Sequence, residues 1–582
     1  MMRKTSNTAS PRHSATGDGE FQGEDKELRR RTGLVLALGA VLVLSHAFVP
    51  FEKFIHRSDD AFYYFQIAVN FAEHGHWTFD GLHPTNGVQP LWGLILTVVA
   101  AGLDLVGLHD KYLIARLFVG LAAVANIASA FILFRLLARQ VSTGTGIAAA
   151  GAFLLPMGIV WQRTWGMESG LYAFMLVATV AYYHVSFLQR PDSRRAVLLG
   201  LLLGLTALSR LNAGILIPVL LLHLLFFSGN HTFASRLRLA FLAGVLASLV
   251  VGLYFAHNWL TTEHLLPVSA TAKSIRSELS ALGRDIDGPL TVIFWKHVYW
   301  GGLEKVLWFV TSRLMDGMWI AGSRLLFYGD SGVPLGTLAL YGGAVVILPL
   351  CVGQPRQWFR FLMNRLRHVS VFWYVLVFGA INALTSVMFY PDQLDYAMVK
   401  WWLIENEIVL SVLSATIAAA AVAFVGRRFV PVRHQRIVAP IAIFVMILAQ
   451  GTFHVKHYWV DDRTVYDWNP SGNDQWYLAA QWIEKNIPET ELIGAWNAGI
   501  IGYFSNHRVV NLDGLINGFD YLPYLRDDRI EDYIKDRGIG YIADMHFEFR
   551  RSRITERIRT VLIYENFSEF YQGSFYIYEV NE

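Results

Sequence analysis

Long apolar segments recur along the chain, and this recurrence limits its fold more than any other feature. The first, at 33–51, contains no Asp, Glu, Lys or Arg. About 20 apolar residues in a helix cross the hydrocarbon core of a bilayer. Hydrophobic residues make up 54% of the chain and charged residues only 16%, whereas a soluble domain is about a quarter charged. The sequence therefore predicts an integral membrane protein.

Arginine clusters between the apolar segments set the predicted topology. They lie at 29–31, 135–139, 190–195, 236–238, 356–367 and 427–436. Because positive residues favour the cytoplasmic side, all six are assigned to that side, with the N-terminus inside and about eleven spans. The predicted spans are 33–51, 113–135, 144–161, 171–188, 196–209, 212–228, 239–256, 334–352, 369–389, 404–425 and 437–453.

Three regions follow from this topology. Residues 1–31 form a polar, disordered cytoplasmic tail, since they contain no long apolar run. Residues 32–453 form the transmembrane domain, with a first external loop at 52–112. Residues 454–582 form a small external α/β domain, because strand-like patterns occur near 491–510, 539–544 and 574–580.

Two further helices are predicted to lie in the outer membrane interface. The segment 91–108 is apolar enough to span, but spanning would place the arginines at 135–139 outside. The segment 305–327 mixes tryptophan and leucine with charged residues, which is typical of an interfacial amphipathic helix. The single cysteine, Cys351, excludes an intrachain disulfide and a cysteine-based metal site.

An acidic pair, Asp59 and Asp60, follows the first predicted span and precedes an aromatic stretch compatible with a helix from Ala61. A carboxylate there could accept a proton from a reacting hydroxyl. Alternatively, an aspartate could cap the helix, because free backbone N–H groups at a helix N-terminus favour it. Capping needs only one aspartate and adjacent carboxylates repel each other, so the pair favours a functional role.

Other polar residues of the external segments suit contacts to a substrate. These candidates are His83, Asn86, Gln89, Glu168, Arg210, Lys273, Lys400, Trp401, Asp513 and Asn517. Ordinary alternatives stand beside them. Glu168, Asp513 and Asn517 could be turn residues, and Lys273 and Lys400 could simply extend their amines to water.

Arg210 lies between two apolar segments, where an arginine needs a partner. A mid-membrane arginine costs roughly 2.5–3.5 kcal/mol on insertion scales. A structural ion pair and an anionic ligand are both compatible with its position. The histidines His74, His76 and His83 have irregular spacing, so no metal site and no cofactor are predicted.

Together, the external residues favour sugar transfer from a lipid phosphate. Carboxylates suit deprotonation of a hydroxyl, cations suit a phosphate, and aromatic rings suit sugars and isoprenoid chains. An ion transporter should instead place ionisable residues near mid-bilayer, and most predicted spans contain almost none.

Several motifs resemble bacterial membrane glycosyltransferases of the GT-C superfamily. They are SDDAFYYFQIA, HPTNGVQPLW, GMESGLYAF, LSRLNAG, LPVSATAKS and GIIGYFSNHRVVNLDGLING. The resemblance covers roughly 33–545. It implies a polyprenyl-phosphate sugar donor, transfer on the periplasmic side of the bacterial inner membrane, and interfacial helices in the first loop. It also implies that Asp59 is the catalytic carboxylate, with Asp60 beside it and Glu168 as a further acidic residue.

The resemblance implies a mechanism in which Asp59 accepts the acceptor's proton while Lys273, Arg210 or Lys400 stabilises the leaving phosphate, with inversion at the anomeric carbon. Family members often have an arginine where this chain has Lys400 in YAMVKWW. The acceptor is a lipid, a glycan or a protein, and no nucleic-acid partner is expected. Two alternatives are a metal-dependent oligosaccharyltransferase-like enzyme, which a chelator would inactivate, and a non-catalytic sugar-lipid transporter or scaffold.

Overall fold

The computed structural model describes residues 43–154, 163–228, 231–282, 355–389, 404–429, 474–568 and 573–581, with isolated residues between 33 and 41 and at 160. Helices dominate the first 430 residues. They are α1 Phe51–Phe54, α2 Asp59–His74, α3 Pro90–Leu105, α4 Lys111–Gln140, α5 Thr143–Leu154, α6 Ser169–Tyr182, α7 Ser193–Ser209, α8 Leu216–Phe227, α9 Phe233–Thr262, α10 Val268–Leu282, α11 Pro355–Arg367, α12 Ser370–Phe389 and α13 Ile404–Phe429.

Side-chain caps fix several helix starts. Asp110 accepts a hydrogen bond from the Leu113 N–H at the start of α4, and Asp192 accepts one from the Arg195 N–H at the start of α7. These side chains satisfy backbone donors that a helix leaves free in its first turn. A π-helix, Tyr183–Phe187, continues α6, and a 3₁₀ turn, Leu211–Ile215, precedes α8.

Three described helices are long and apolar enough to cross a membrane: Lys111–Gln140, Ser169–Phe187 and Phe233–Thr262. They coincide with the predicted spans 113–135, 171–188 and 239–256. Helices also occupy the predicted spans 144–161, 196–209, 212–228, 369–389 and 404–425, over part or all of their length. The number of spans stays a prediction, because 334–352 and 437–453 lie outside the described residues, as does the amphipathic segment 305–327.

A five-stranded mixed sheet follows the helical region. Its strands are β1 Leu492–Ala495, β2 Arg508–Asn511, β3 Ile539–Met545, β4 Thr560–Ser568 and β5 Gly573–Val580, in the order β2-β1-β3-β5-β4. β1 pairs in parallel with β2 and β3, while β5 is antiparallel to β3 and β4. The helices around it are α14 Asp474–Asn486, α15 Gly499–Phe504, α16 Leu522–Arg526, α17 Ile530–Asp536, α18 His546–Ser552 and α19 Ile554–Arg557.

The predicted strand–turn–strand unit at 491–510 is confirmed as β1, α15 and β2, and the strands predicted at 539–544 and 574–580 are confirmed as β3 and β5. The sequence did not predict β4. Val561 and Leu562 are adjacent and both exposed, so this edge strand lacks the alternation of apolar and polar residues that identifies a half-buried strand.

An aromatic cluster joins the first external loop to the sheet region. Phe62 and Phe65 of α2 contact Tyr503 of α15, with ring centroids 5.7 and 5.9 Å apart. Phe62 also lies 5.5 Å from Phe504. These side chains belong to one buried core that includes α3, the start of α4 and the sheet. The aromatic stretch Phe62–Phe65 therefore packs α2 against the C-terminal region.

Candidate active site

A cavity of about 530 Å³ lies where the helix ends that the sequence predicts to be external meet the first loop and the sheet region. We call it the external cavity. Binding pockets for small ligands are usually about 300–1,000 Å³. Five side chains of its wall are predicted site residues: Asp60, Gln89, Glu168, Arg210 and Lys273. Tyr64, from the aromatic stretch after the acidic pair, also lines it.

Glu168 and Arg210 form the buried floor of this cavity. Glu168 is 3% exposed and Arg210 is 5% exposed. Arg210 Nε lies 3.9 Å from Glu168 Oε1, and the Tyr64 hydroxyl donates to Glu168 Oε2 at 3.0 Å. Arg210 therefore forms the structural ion pair that was one of its two interpretations. Its side chain also lines the cavity.

Gln89 fixes the first loop against the end of α7. Its backbone N–H donates to the Tyr64 hydroxyl at 3.0 Å, and its side-chain oxygen accepts from the Leu211 N–H at 3.1 Å. Leu211 directly follows Arg210. Gln89 thus links the loop, the tyrosine that holds Glu168, and the backbone that positions Arg210.

Asp60 and Lys273 bring opposite charges to the upper wall. Burial raises the pKa of Asp60 to about 6, with Asp513 and Glu168 adding to the rise and Lys273 and Arg276 opposing it. Burial also lowers the pKa of Lys273, as does the charge of Arg210, against the nearby carboxylates. At neutral pH Asp60 is mainly ionised but close enough to its pKa to exchange a proton.

Asp59 has a different environment from its neighbour. Its two carboxylate oxygens accept hydrogen bonds from the Gly499 N–H at 3.0 Å and the Ile500 N–H at 2.7 Å, at the start of α15. A Cβ at Gly499 would meet the Asp59 carbonyl oxygen at 2.2 Å, so the approach requires glycine. Burial raises the pKa of Asp59 to about 7, against these two bonds. Asp59 does not line the external cavity.

Two further predicted site residues hold elements together around the cavity. Asn86 Oδ1 accepts from the Val268 N–H at 2.8 Å, at the start of the helix that carries Lys273. His83 Nδ1 lies 2.7 Å from Asp80 Oδ2, and the other ring nitrogen contacts Arg537. Asn86 and His83 therefore connect the first loop to α10 and to the C-terminal region.

Asp513 and Asn517 belong to a tight loop after β2. Asp513 Oδ1 accepts from the Leu515 N–H at 2.8 Å, and Asp513 Oδ2 lies 3.8 Å from Arg276 Nη2. Asn517 donates to the Asn511 carbonyl. The turn interpretation accounts for these contacts. Leu515 of the same loop reaches the cavity wall.

Lys400 and Trp401 lie outside the described residues. Within the described ranges, no group of three or more His, Cys, Asp or Glu side chains is arranged to hold a metal ion. The predicted lack of a metal and a cofactor stays a prediction.

The sequence did not predict a series of hydrogen-bonded polar side chains close to Arg210. Glu405 Oε1 accepts from the Tyr172 hydroxyl and from Asn382 Nδ2 at 3.2 Å, and Asn212 Nδ2 donates to Asn382 Oδ1 at 3.1 Å. A signal for Glu405 existed: an acid within a predicted span usually has a buried partner. Through Asn212, this series of side chains contacts the backbone that follows Arg210. The guanidinium carbon of Arg210 lies 5.5 Å from the centre of the Tyr172 ring.

Part of the helical region matches the model of a known protein family. Residues 108–255 match the family model described as dolichyl-phosphate-mannose-protein mannosyltransferase. This match confirms the resemblance to GT-C glycosyltransferases over those residues and supports glycosyltransferase activity. Residues 465–579 match a model described as a domain of unknown function, DUF8728. Comparison with curated proteins gives no match.

Two solved proteins are similar to most of the chain. The oligosaccharyltransferase AglB from Archaeoglobus fulgidus, in complex with an inhibitory peptide and a dolichol-phosphate, is 14% identical, with 94% of this chain and 74% of that chain covered and a TM-score of 0.48. ArnT from Cupriavidus metallidurans, bound to undecaprenyl phosphate, is 12% identical, with 94% and 97% covered and a TM-score of 0.44.

Proposed function

We propose that this protein transfers a sugar from a polyprenyl-phosphate donor to an acceptor hydroxyl at the external face of a bacterial inner membrane, in the synthesis of an envelope glycan or glycolipid. The observation that carries the proposal is the composition of the external cavity. Its wall combines two carboxylates, Asp60 and the ion-paired Glu168, with two cations, Lys273 and Arg210.

Asp60 is the proposed general base. The acceptor hydroxyl gives its proton to the Asp60 carboxylate as its oxygen forms a bond to the anomeric carbon. General-base assistance of this kind contributes about 10²–10⁴ in rate. The geometry favours Asp60 over Asp59, because both Asp59 oxygens are already bonded to backbone N–H groups.

Lys273 and Arg210 are the proposed phosphate ligands. The bond between the anomeric carbon and the phosphate oxygen breaks as the new glycosidic bond forms, and the electron pair leaves with the lipid phosphate. Cations in a partly dry cavity stabilise such developing charge strongly. The leaving group needs no proton, so one carboxylate suffices. A single displacement inverts the anomeric configuration.

Glu168 and Tyr64 are proposed to orient Arg210 and to contact sugar hydroxyls. Glu168 is held by both the Tyr64 hydroxyl and the Arg210 guanidinium, so its charge is compensated before substrate binds. Its oxygens are thereby oriented to accept hydrogen bonds from sugar hydroxyls, a role separate from that of Asp60.

The test compares Asp60→Asn with wild type in a strain lacking the gene, at equal expression. Envelope glycans and lipid-linked sugars are measured by mass spectrometry. We expect Asp60→Asn to accumulate a polyprenyl-phosphate sugar and to lose one glycan component, because the amide cannot accept the proton. Asp104→Asn is the matched control, since Asp104 is 49% exposed at the end of α3.

A wild-type glycan profile with Asp60→Asn would overturn the mechanism and would favour a non-catalytic transporter or scaffold. Accumulation of the donor with the control as well would instead assign the loss to altered expression or folding.

A further inference from the structure

A second polar cavity lies at the other end of the same helices. It consists of two adjoining recesses of about 650 and 270 Å³, which share His184, His223, Phe227 and Tyr374. We call it the distal cavity. It uses the ends of α6 and α8 and the starts of α9 and α12, whereas the external cavity uses the start of α6 and the end of α7.

Helix geometry separates the two cavities by nearly the thickness of a membrane. Glu168 precedes α6 and His184 lies in the π-helix that continues it, so the two residues are 16 positions apart in the chain. At 1.5 Å per residue this is about 24 Å, against about 30 Å for the hydrocarbon core. The arginines at 190–195 and 236–238 flank the distal cavity, so it lies on the predicted cytoplasmic face.

The centre of the distal cavity is a hydrogen-bonded group of aromatic side chains. Tyr183 Oη lies 2.8 Å from His223 Nδ1, and Tyr374 Oη lies 3.3 Å from His223 Nε2. Tyr183 and His184 both belong to the π-helix Tyr183–Phe187. Single π-turns within α-helices occur frequently at functional sites. This one places His184 in the cavity lining and the Tyr183 hydroxyl against His223.

The charged lining of the distal cavity has one sign. Arg236, Arg367 and the histidines His231 and His368 line it, and neither recess has an Asp or Glu among its described lining residues. Arg236 Nη1 donates to the Ser228 carbonyl at 3.0 Å. Arg236 Nε and His184 Nδ1 are buried and lack a hydrogen-bond partner within the described parts of the chain.

Apolar side chains extend the larger recess along the helices. Val219 and Leu222 of α8 face Trp373, Val377 and Ile381 of α12. A soluble anion would gain nothing from this wall, whereas the chain of a lipid would bury apolar surface against it. A cationic end and an apolar wall together match a phospholipid better than a free phosphate.

We propose that the distal cavity binds the phosphate headgroup of an anionic membrane lipid, with Arg236 and Tyr374 as ligands, the Tyr374 hydroxyl positioned by His223, and the lipid chain along α8 and α12. Arginine suits phosphate because its planar donors match the phosphate oxygens. Cationic residues near the cytoplasmic surface are also attracted by anionic lipids.

The test is native mass spectrometry of the full-length protein in detergent, titrated with phosphatidylglycerol or with zwitterionic phosphatidylcholine. We expect phosphatidylglycerol to bind more tightly. The double variant Arg236→Gln/His223→Gln should weaken it roughly tenfold, the loss expected for removing charge-assisted hydrogen bonds. Arg238→Gln is the matched control, because Arg238 lies on the same helix but does not line the cavity.

Tyr374→Phe guards against a folding artefact, since it removes only the hydroxyl and should weaken phosphatidylglycerol binding by a smaller factor. Equal binding of the two lipids, or equal weakening by Arg238→Gln and the double variant, would overturn the proposal. An arm with inorganic phosphate distinguishes the two sources of the ligand. Millimolar phosphate that displaces phosphatidylglycerol would assign the cavity to the phosphate group alone and overturn its assignment to a lipid.

Discussion

The external and distal cavities lie at opposite ends of shared helices and differ in the signs of their charges. The external cavity combines Asp60 and Glu168 with Lys273 and Arg210, whereas the described lining of the distal cavity contains cations and histidines without an acid. Transfer of a sugar from a phosphate needs both a base and cations, while retention of a phosphate needs cations alone. The difference separates a proposed site of chemistry from a proposed site of binding.

Removal of the charge of Lys273 should cause the largest change in the rate of sugar transfer. Lys273→Met deprives the leaving phosphate of one of its two proposed cations, so we expect transfer to fall by about 10²–10³. Lys273→Arg should retain more activity because it keeps the charge. The substrates are the donor and acceptor in membranes of the deletion strain that expresses Asp60→Asn, and the rate after addition of purified protein is followed by mass spectrometry.

Lys535→Met is the control for this measurement, since Lys535 is exposed on α17. If Lys273→Met transferred sugar at the wild-type rate, the phosphate would have to bind elsewhere. The external cavity would then not be the site of sugar transfer, and the proposed difference between the two cavities would be wrong.

The neighbours Asp59 and Asp60 should respond differently to the same substitution. Asparagine keeps one of the two acceptor oxygens of Asp59 and places its NH2 group against the other backbone donor, so Asp59→Asn should lose part of the stability but keep most of the activity. Asp59→Ala leaves the Gly499 and Ile500 N–H groups without their acceptor, which should cost about 1–3 kcal/mol. Thermal unfolding of the purified protein measures the stability, and the membrane assay measures the transfer.

This prediction has a clear opposite outcome. If Asp59→Asn were as inactive as Asp60→Asn while unfolding at the wild-type temperature, the base would be Asp59. That was the assignment implied by the family resemblance.

The pH dependence of transfer should give the smallest effect. A general base works when deprotonated, and the pKa of Asp60 is raised to about 6, chiefly by burial. The rate should therefore be full above about pH 7 and fall as the pH drops through 6. Arg276 helps to lower this pKa, so Arg276→Gln should move the acidic limb to higher pH. Initial rates of the wild type and of Arg276→Gln between about pH 4 and 8.5 measure this acidic limb, and a limb below about pH 4.5 in the wild type would exclude Asp60 as the base.

Much of the fold followed from local patterns. The apolar segments predicted most of the described helices within a few residues, since a helix that lies in lipid must be apolar along its length. The strands β1, β2, β3 and β5 followed from short apolar runs between turns. The edge strand β4 did not, because its exposed Val561 and Leu562 remove the alternating pattern.

The sequence by itself determined that Asp59 and Asp60 stand at a helix start, which the arginine pattern predicts to be external, and that Glu168, Arg210 and Lys273 stand near other helix ends. It also predicted the membrane class and its GT-C character. Only the tertiary structure decided which aspartate faces the external cavity. Successive residues of a helix point about 100° apart, so neighbours in sequence reach different surroundings: Asp59 caps α15, more than 400 residues away in the chain, and Asp60 faces Lys273. The distal cavity could not be predicted from the sequence either, because its residues come from separate helices that meet only in the folded protein.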